Sequence, residues 1–295
     1  MRPPCTCCAR PPDAPPLSAA ASAAACAQPP ASDSDSDRSS VMMFPAMAVL
    51  FLLCGAVLLT APPARAANQL PQDWIRCQKT DPQLDRCLEG AVQDAIKKLA
   101  GGIPSLGIAS IDPLQLSALE IGQGQGPISV NQKFSNIKVL GLSKAVLEKS
   151  RADLGHYTLS FDGAVTNDFE ADYEMDGRIL LLPVTGRGRC KLSFTNMKAT
   201  LEPKGKEIQK NGKRYFDVTE FVLSIKSLDK MQVHFENLFN GDKALGDTMN
   251  TLMNENWRDL WGELRPAFEQ TFGAVFHQIT KRIFEKVPFD DVFLD

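Results

Sequence analysis

His156, His234 and His277 are the three side chains that ordinarily titrate near neutrality, so acid–base or metal chemistry would begin with them. No two stand at a metal-ligand spacing. They fall on different predicted elements, His156 and His234 on strands and His277 on a helix, and read as ordinary residues there. No Gly-x-Ser-x-Gly elbow presents a nucleophile. Gly122-Gln-Gly-Gln-Gly126 has the composition of a phosphate loop, but its spacing is wrong and Pro127 and a strand follow it, so it reads as a plain loop. Cys5-Thr-Cys-Cys8 has metal-ligand residue types without a second half of the site within reach. Carboxylates are spread along solvated faces, and Asp290-Asp291 reads as an exposed end. Lys144, Lys149 and Arg151 read as a solvated face and not as a membrane-facing patch, and a net charge of −3 offers no basic field for nucleic acid. No catalytic set, metal site or cofactor site is expected.

The chain has eight cysteines, and their use depends on where the mature protein begins. Residues 44–60, FPAMAVLFLLCGAVLLT, form an apolar run shorter than the ~20 residues of a spanning helix. Ala64-Arg65-Ala66 then fits a small-x-small cleavage pattern. Residues 42–66 are therefore read as a secretory signal peptide, residues 1–41 as a low-complexity extension or a start placed too far upstream, and residues 67–295 as one secreted domain. Cys5, Cys7, Cys8, Cys26 and Cys54 would be lost with the leader. Cys77, Cys87 and Cys190 remain, which suggests one disulfide and one free thiol. A Cys77–Cys87 bridge would pin an entry segment to the helix that follows, stabilising by roughly 2–3 kcal/mol in the chain-entropy model.

That helix is predicted over Pro82–Leu99, with Asp81 as N-cap and Leu84, Leu88, Val92, Ile96 and Leu99 on one face. Residues 113–236 read as strands in an antiparallel meander. Leu192 and Phe194 share one parity and Met197, Ala199 and Leu201 the other, which predicts a bulge at Thr195-Asn196. Asp176-Gly177 and Asn211-Gly212 read as hairpin turns. From Leu245 through Met249, Leu252, Leu260, Leu264, Phe268, Phe272, Val275 and Ile279 to Ile283, apolar residues recur at helical steps. The spacing predicts one helix about 57 Å long at ~1.5 Å per residue. A kink is expected at Pro266, with Gly262 leaving room for it. So long an apolar stripe needs a long cover. The expected architecture is α+β: a strongly curved antiparallel sheet wrapped around one long C-terminal helix, plus a short N-terminal helix.

The remaining candidate site is apolar. Trp257, Trp261, Leu264, Phe268, Phe272 and Phe276 on the helix would face Tyr157, Leu159, Phe161, Leu192, Phe194, Phe221, Leu223, Met231, Val233 and Phe235 on the sheet. Plain core packing is the competing reading, and periodicity alone favours it.

Several segments, in order, resemble the insect takeout and juvenile hormone-binding protein family. They are Cys77-x9-Cys87 with Asp81-Pro82 inside it, Gly102-Ile103-Pro104, Ile111-Asp112-Pro113-Leu114 and the stretch from Gly177 to Gly186. The run from Glu236 to Gly246 leading to Asn254-Glu-Asn-Trp257 is the most specific, and Val287-Pro288-Phe289-Asp290 closes the match. The resemblance spans about Trp74 to Leu294. It implies the α-wrap arrangement, related to the lipid-binding TULIP and BPI-like folds, enclosing an apolar tunnel. It also implies a secreted, monomeric, non-catalytic carrier of juvenile hormone-like terpenoids or fatty acyl compounds, without cofactor, nucleic-acid partner or stable membrane insertion. Haemolymph hormone carriers of the family typically have two disulfides. The missing second bridge points to the takeout branch, tied to circadian, feeding or chemosensory physiology, and does not single out juvenile hormone as ligand. Cys190 would be a buried free thiol, with an intermolecular bridge as the alternative. Tyr157 or Tyr173 would orient the ligand, and one tunnel end would move to exchange it. The contrasting function is a secreted receptor-binding signalling or structural protein with an inert packed core.

Overall fold

The computed structural model describes residues 70–122, 128–179 and 182–295. The leader expected at 42–66, the extension before it and most of the Gly122–Gly126 loop lie outside them. The elements in chain order are β1 (Cys77–Gln78), α1 (Leu84–Lys98), β2 (Leu114–Ile121), β3 (Ile128–Leu140), β4 (Val146–Asp153), β5 (Thr158–Ile179), β6 (Leu182–Lys210), β7 (Lys213–Ser227), β8 (Lys230–Phe235), α2 (Lys243–Glu255), α3 (Trp257–Lys286), α4 (Phe289–Val292) and β9 (Phe293–Leu294).

The sheet is built on one very long hairpin. β5 has 22 residues and β6 has 29, and they pair from Thr158↔Lys204 to Ile179↔Leu182. Strands this long change neighbours along their length. β5 pairs β4 through Thr158–Ala164 and β3 through Asp168–Ile179. β6 pairs β8 through Cys190–Thr195 and β7 from Lys198 onward. The switch falls at the bulge expected from parity: Thr195 and Asn196 together oppose Thr166 alone. Asn196 takes a left-handed φ of 49°, and its N–H donates to Thr166 Oγ1 at 3.0 Å. The extra residue reverses which side chains face inward, so Leu192 and Phe194 before it and Met197, Ala199 and Leu201 after it share the inner face.

Asn211-Gly212 is the turn expected there, with φ of 51° and 72°. Asp176-Gly177 is not a turn: both lie inside β5, opposite Thr185 and Val184. Gly177 has φ 150°, and a Cβ there would meet Ser129 O on β3 at 2.3 Å. The glycine permits a close strand approach, which uses the same residue type as a turn. His156 also departs from expectation. It sits in the turn before β5, with its Nδ1 2.8 Å from Asp153 Oδ2.

The C-terminal stripe is two helices, not one helix kinked at proline. α2 ends at Glu255, α3 starts at Trp257, and Asn256 between them has φ −105° and ψ 28°. Asn256 Nδ2 donates to Leu252 O at 2.8 Å, the local bonding by which a short amide competes with helix propagation. The spacing of eight from Leu252 to Leu260 is the sequence trace of this break. Pro266 lies within an uninterrupted α3, and a Cβ on Gly262 would meet nothing within 4 Å, so that glycine is not what admits the proline ring. The 30 residues of α3 span about 45 Å.

Each long helix also serves a sheet edge. Along α1, Asp85 Oδ1 accepts from Ala152 N at 2.9 Å, and Gln93 receives Leu147 N at 2.8 Å while donating to Ala145 O at 2.9 Å. Along α2, Asn254 takes Val233 N and donates to Val233 O, both at 2.8 Å, and Asn250 does the same for Phe235 at 2.8 and 2.9 Å. On α3, Glu269 Oε1 accepts from Ile225 N at 2.7 Å, and His277 Nε2 lies 2.9 Å from Val218 O. These side chains replace absent strands and satisfy backbone groups that an open edge would expose.

The first and last strands of the described residues meet at one end of the fold. β1 pairs β9 in parallel, and Cys77 is bridged to Cys87 on α1 with Cα atoms 5.9 Å apart. Asp81 Oδ1 accepts from Gln83 N at 2.8 Å, just before α1. Asp290 is not a loose exposed end: it meets Lys79 and Arg214, each at 2.5 Å. The Arg214 hydrogen bond, and that of Lys79 after it, hold the Asp290 carboxyl below the ordinary carboxylate range.

Candidate ligand-binding cavity

The inward face of the sheet is packed solid in one half and hollow in the other. Along β5 every odd residue from Leu159 to Ile179 points inward, by strand periodicity. Ala171, Tyr173, Met175 and Ile179 pack into a continuous core with Met231, Phe235, Met253 and Leu260. Leu159, Phe161, Gly163, Val165, Asn167 and Phe169 instead line a cavity of about 370 Å³. The division is an aromatic floor: Phe268 on α3 stands 5.5 Å from both Phe169 and Phe194, ring centre to ring centre.

Four further elements supply most of the remaining wall. α3 contributes Phe268, Phe272, Phe276, Ile279, Ile283 and Phe284. Those residues extend the cavity over about 24 Å of helix, at ~1.5 Å per residue. α1 contributes Leu88, Ala91, Val92, Ala95 and Ile96, and small side chains there leave the space that α3 and the sheet do not fill. β6 contributes Met197, Ala199 and Leu201, delivered inward by the bulge, and β7 contributes Phe221 and Leu223. Leu201, Leu223 and Phe276 are only half-buried despite facing inward, because they border the open space. Among the described lining residues, only Asn167, Thr280 and Trp74 have side chains that carry a polar group. Asn167 is 7% exposed, and its Oδ1 is buried without a hydrogen-bond partner.

Of the residues singled out in the sequence, Leu159, Phe161, Phe194, Phe221, Leu223, Phe268, Phe272 and Phe276 lie on this wall. Leu192, Met231, Val233, Phe235, Trp261 and Leu264 lie elsewhere, buried in the solid half. Trp257 packs against that half, with the Arg258 guanidinium 4.6 Å from its ring centre. Tyr157 is not on the wall. Its left-handed φ of 50° places it in the turn before β5, its ring lies against Phe216 and Phe289, and its hydroxyl donates to Glu207. Burial and that carboxylate push the Tyr157 phenol up to about 12. Tyr173 donates to Glu236 O at 2.6 Å within the solid core, and burial raises its phenol further. Neither tyrosine is among the residues that line the cavity. The α1 wall and Asn167 were missed. The α1 face was legible, but only as a packing surface.

Cys190 is unpaired among the described residues and buried, and burial pushes its thiol up to about 12. Among the described residues there is no group of three or more His, Cys, Asp or Glu side chains able to hold a metal, and no helix is long and apolar enough to cross a membrane.

Comparison with known proteins places the chain among relatives of similar size. Residues 49–294 match the family model described as haemolymph juvenile hormone binding protein. The circadian clock-controlled protein daywake of Drosophila melanogaster is 24% identical over 240 residues, covering 77% of this chain and 90% of the relative. Daywake of Drosophila yakuba is 25% identical over 270 residues, covering 85% and 99%. The crystal structure of Epiphyas postvittana Takeout 1 superposes with a TM-score of 0.68 at 27% identity, covering 75% of this chain and all of that one.

Proposed function

The chain belongs to the haemolymph juvenile hormone binding protein family, and from that premise we propose that it is a secreted, non-catalytic carrier of one small, elongated hydrophobic molecule, a terpenoid or a fatty acyl compound. The observation that carries this reading is the hollow half of the fold: a cavity of about 370 Å³ with an almost wholly apolar wall. A packed core of the same residues would have no such space, because interiors close to crystal-like density.

The mechanism is desolvation with shape selection. Each 100 Å² of ligand apolar surface taken from water contributes about 2.5 kcal/mol. The costs of association and of ordering a flexible chain offset part of that. The helix Phe268–Phe284 and the β5 row from Leu159 form two long walls, which favours a narrow molecule over a compact one. Ile75 and Val146 are the exposed apolar residues of the lining, 50% and 58% accessible, and are the places where a ligand would meet the wall from outside. Resemblance to the daywake proteins supports a role under circadian control. The apolar run at 44–60 supports secretion, with Ala67 expected as the first residue on sequencing the secreted protein.

Displacement of a fluorescent fatty-acid probe from the purified protein tests the proposal. Saturable binding, displaced by long-chain acids, alcohols or terpenoids, is the expected result. Absence of any displacement would favour the contrasting reading of an inert core.

A further inference from the structure

The geometry points to Asn167 as the polar anchor at the blind end of the cavity, selecting a ligand whose apolar chain ends in a hydroxyl. The inference rests on the carrier reading and adds the chemical class of the ligand's buried end.

Three observations converge on this residue. Asn167 is the one amide in the inward row of β5, between Val165 and Phe169, where strand periodicity otherwise delivers apolar side chains. It sits at the floor of the cavity, opposite Phe194 in the β5–β6 ladder, immediately before the Phe169–Phe268 contact that ends the hollow half. It is 7% exposed, and its Oδ1 has no hydrogen-bond partner.

An unpartnered buried amide is costly, and cores rarely keep one without use. Nothing local demands it. Gly141 approaches the Asn167 backbone, where a Cβ on that glycine would lie 3.5 Å from Asn167 Cα, but this is a contact with main chain that any residue at 167 would make. A buried water needs two to four polar partners, and the cavity-lining residues nearest Asn167 along β5 and across the ladder on β6, Val165, Phe169, Phe194 and Met197, carry no polar side-chain group. A ligand hydroxyl suits the site better. Its O–H donates to Oδ1, and its oxygen can accept from the amide N–H. An ether or ester oxygen can only accept, which leaves Oδ1 unpaired.

The test compares hexadecan-1-ol with its methyl ether, two chains of nearly equal apolar surface, in displacement titrations of the full protein. Wild type is expected to bind the alcohol about tenfold more tightly, the scale of one satisfied buried acceptor. Asn167→Leu, with the same number and branching of heavy atoms, is expected to bind the ether at least as well as wild type does and to lose the preference for the alcohol. The ligand-free variant is also expected to melt at or above the wild-type temperature, because it removes an unsatisfied group. Equal wild-type affinity for alcohol and ether would overturn the anchor while leaving the carrier reading intact. So would a preference that survives Asn167→Leu, or a large drop in the ligand-free melting temperature. No binding of either compound by wild type would overturn both.

Discussion

Asp290 shows what a single side chain contributes when its surroundings are known. Its carboxyl joins Lys79 beside β1 and Arg214 on β7, so one residue ties the C-terminal segment to both. Arg214 and Lys79 lower its pKa from the ordinary 3.8. A depressed carboxyl contributes stability that is present above its unfolded pKa and is lost as pH falls through the lowered folded value. Asp290→Asn should therefore lower the melting temperature at neutral pH and flatten its decline below pH ~4. The change should be modest, because the pair is partly solvated. A melting curve series from pH ~7 to ~3 checks this, and an unchanged acid limb would count against the clamp. Adjacent acidic residues near a chain end carry no sign of their partners, because Lys79 and Arg214 are remote in sequence. Asn167 was more legible. A period-two reading of β5 puts it inward, and a polar residue at an inward position is itself a signal.

At the scale of elements, the helices act as substitute strands. Asn250 and Asn254, one turn apart on α2, each both donate to and accept from one residue of β8. Replacing Asn254 with Leu keeps the number and branching of heavy atoms and strands Val233 N–H and C=O. The expected cost is about 1–3 kcal/mol per buried group left unpaired, read by urea unfolding, with ligand affinity changed little because neither residue touches the cavity. A cost within experimental error would show that the edge does not depend on these amides. Strand periodicity and the Thr195-Asn196 bulge were legible because they depend on local parity. The break at Asn256 was partly legible in the eight-residue step of the stripe. The role of Gly177 was not, since a glycine that permits a turn and one that permits a close approach look alike in sequence.

Taken whole, the molecule divides its interior between packing and emptiness. Apolar pattern alone does not distinguish the halves: Phe235 and Phe272 belong to equally regular runs, yet one packs and the other faces the cavity. What separates them is how much volume the opposing elements supply, and the small residues Ala91 and Ala95 of α1 decide that. Core truncation and wall truncation should therefore differ. Leu192→Ala, in the solid half and fully buried, is expected to cost about 2–5 kcal/mol of stability. Leu223→Ala, half-buried at the cavity, should cost less and alter ligand preference instead. Filling the cavity tests the central claim most directly. Ala95→Phe adds a ring to the α1 wall. Titration of a fluorescent fatty-acid probe should give one site per chain in wild type, and at least a tenfold weaker site in a variant that still unfolds cooperatively. Undiminished probe affinity in the folded Ala95→Phe protein would contradict the account, because the ligand would then be binding somewhere other than between α1, α3 and the sheet.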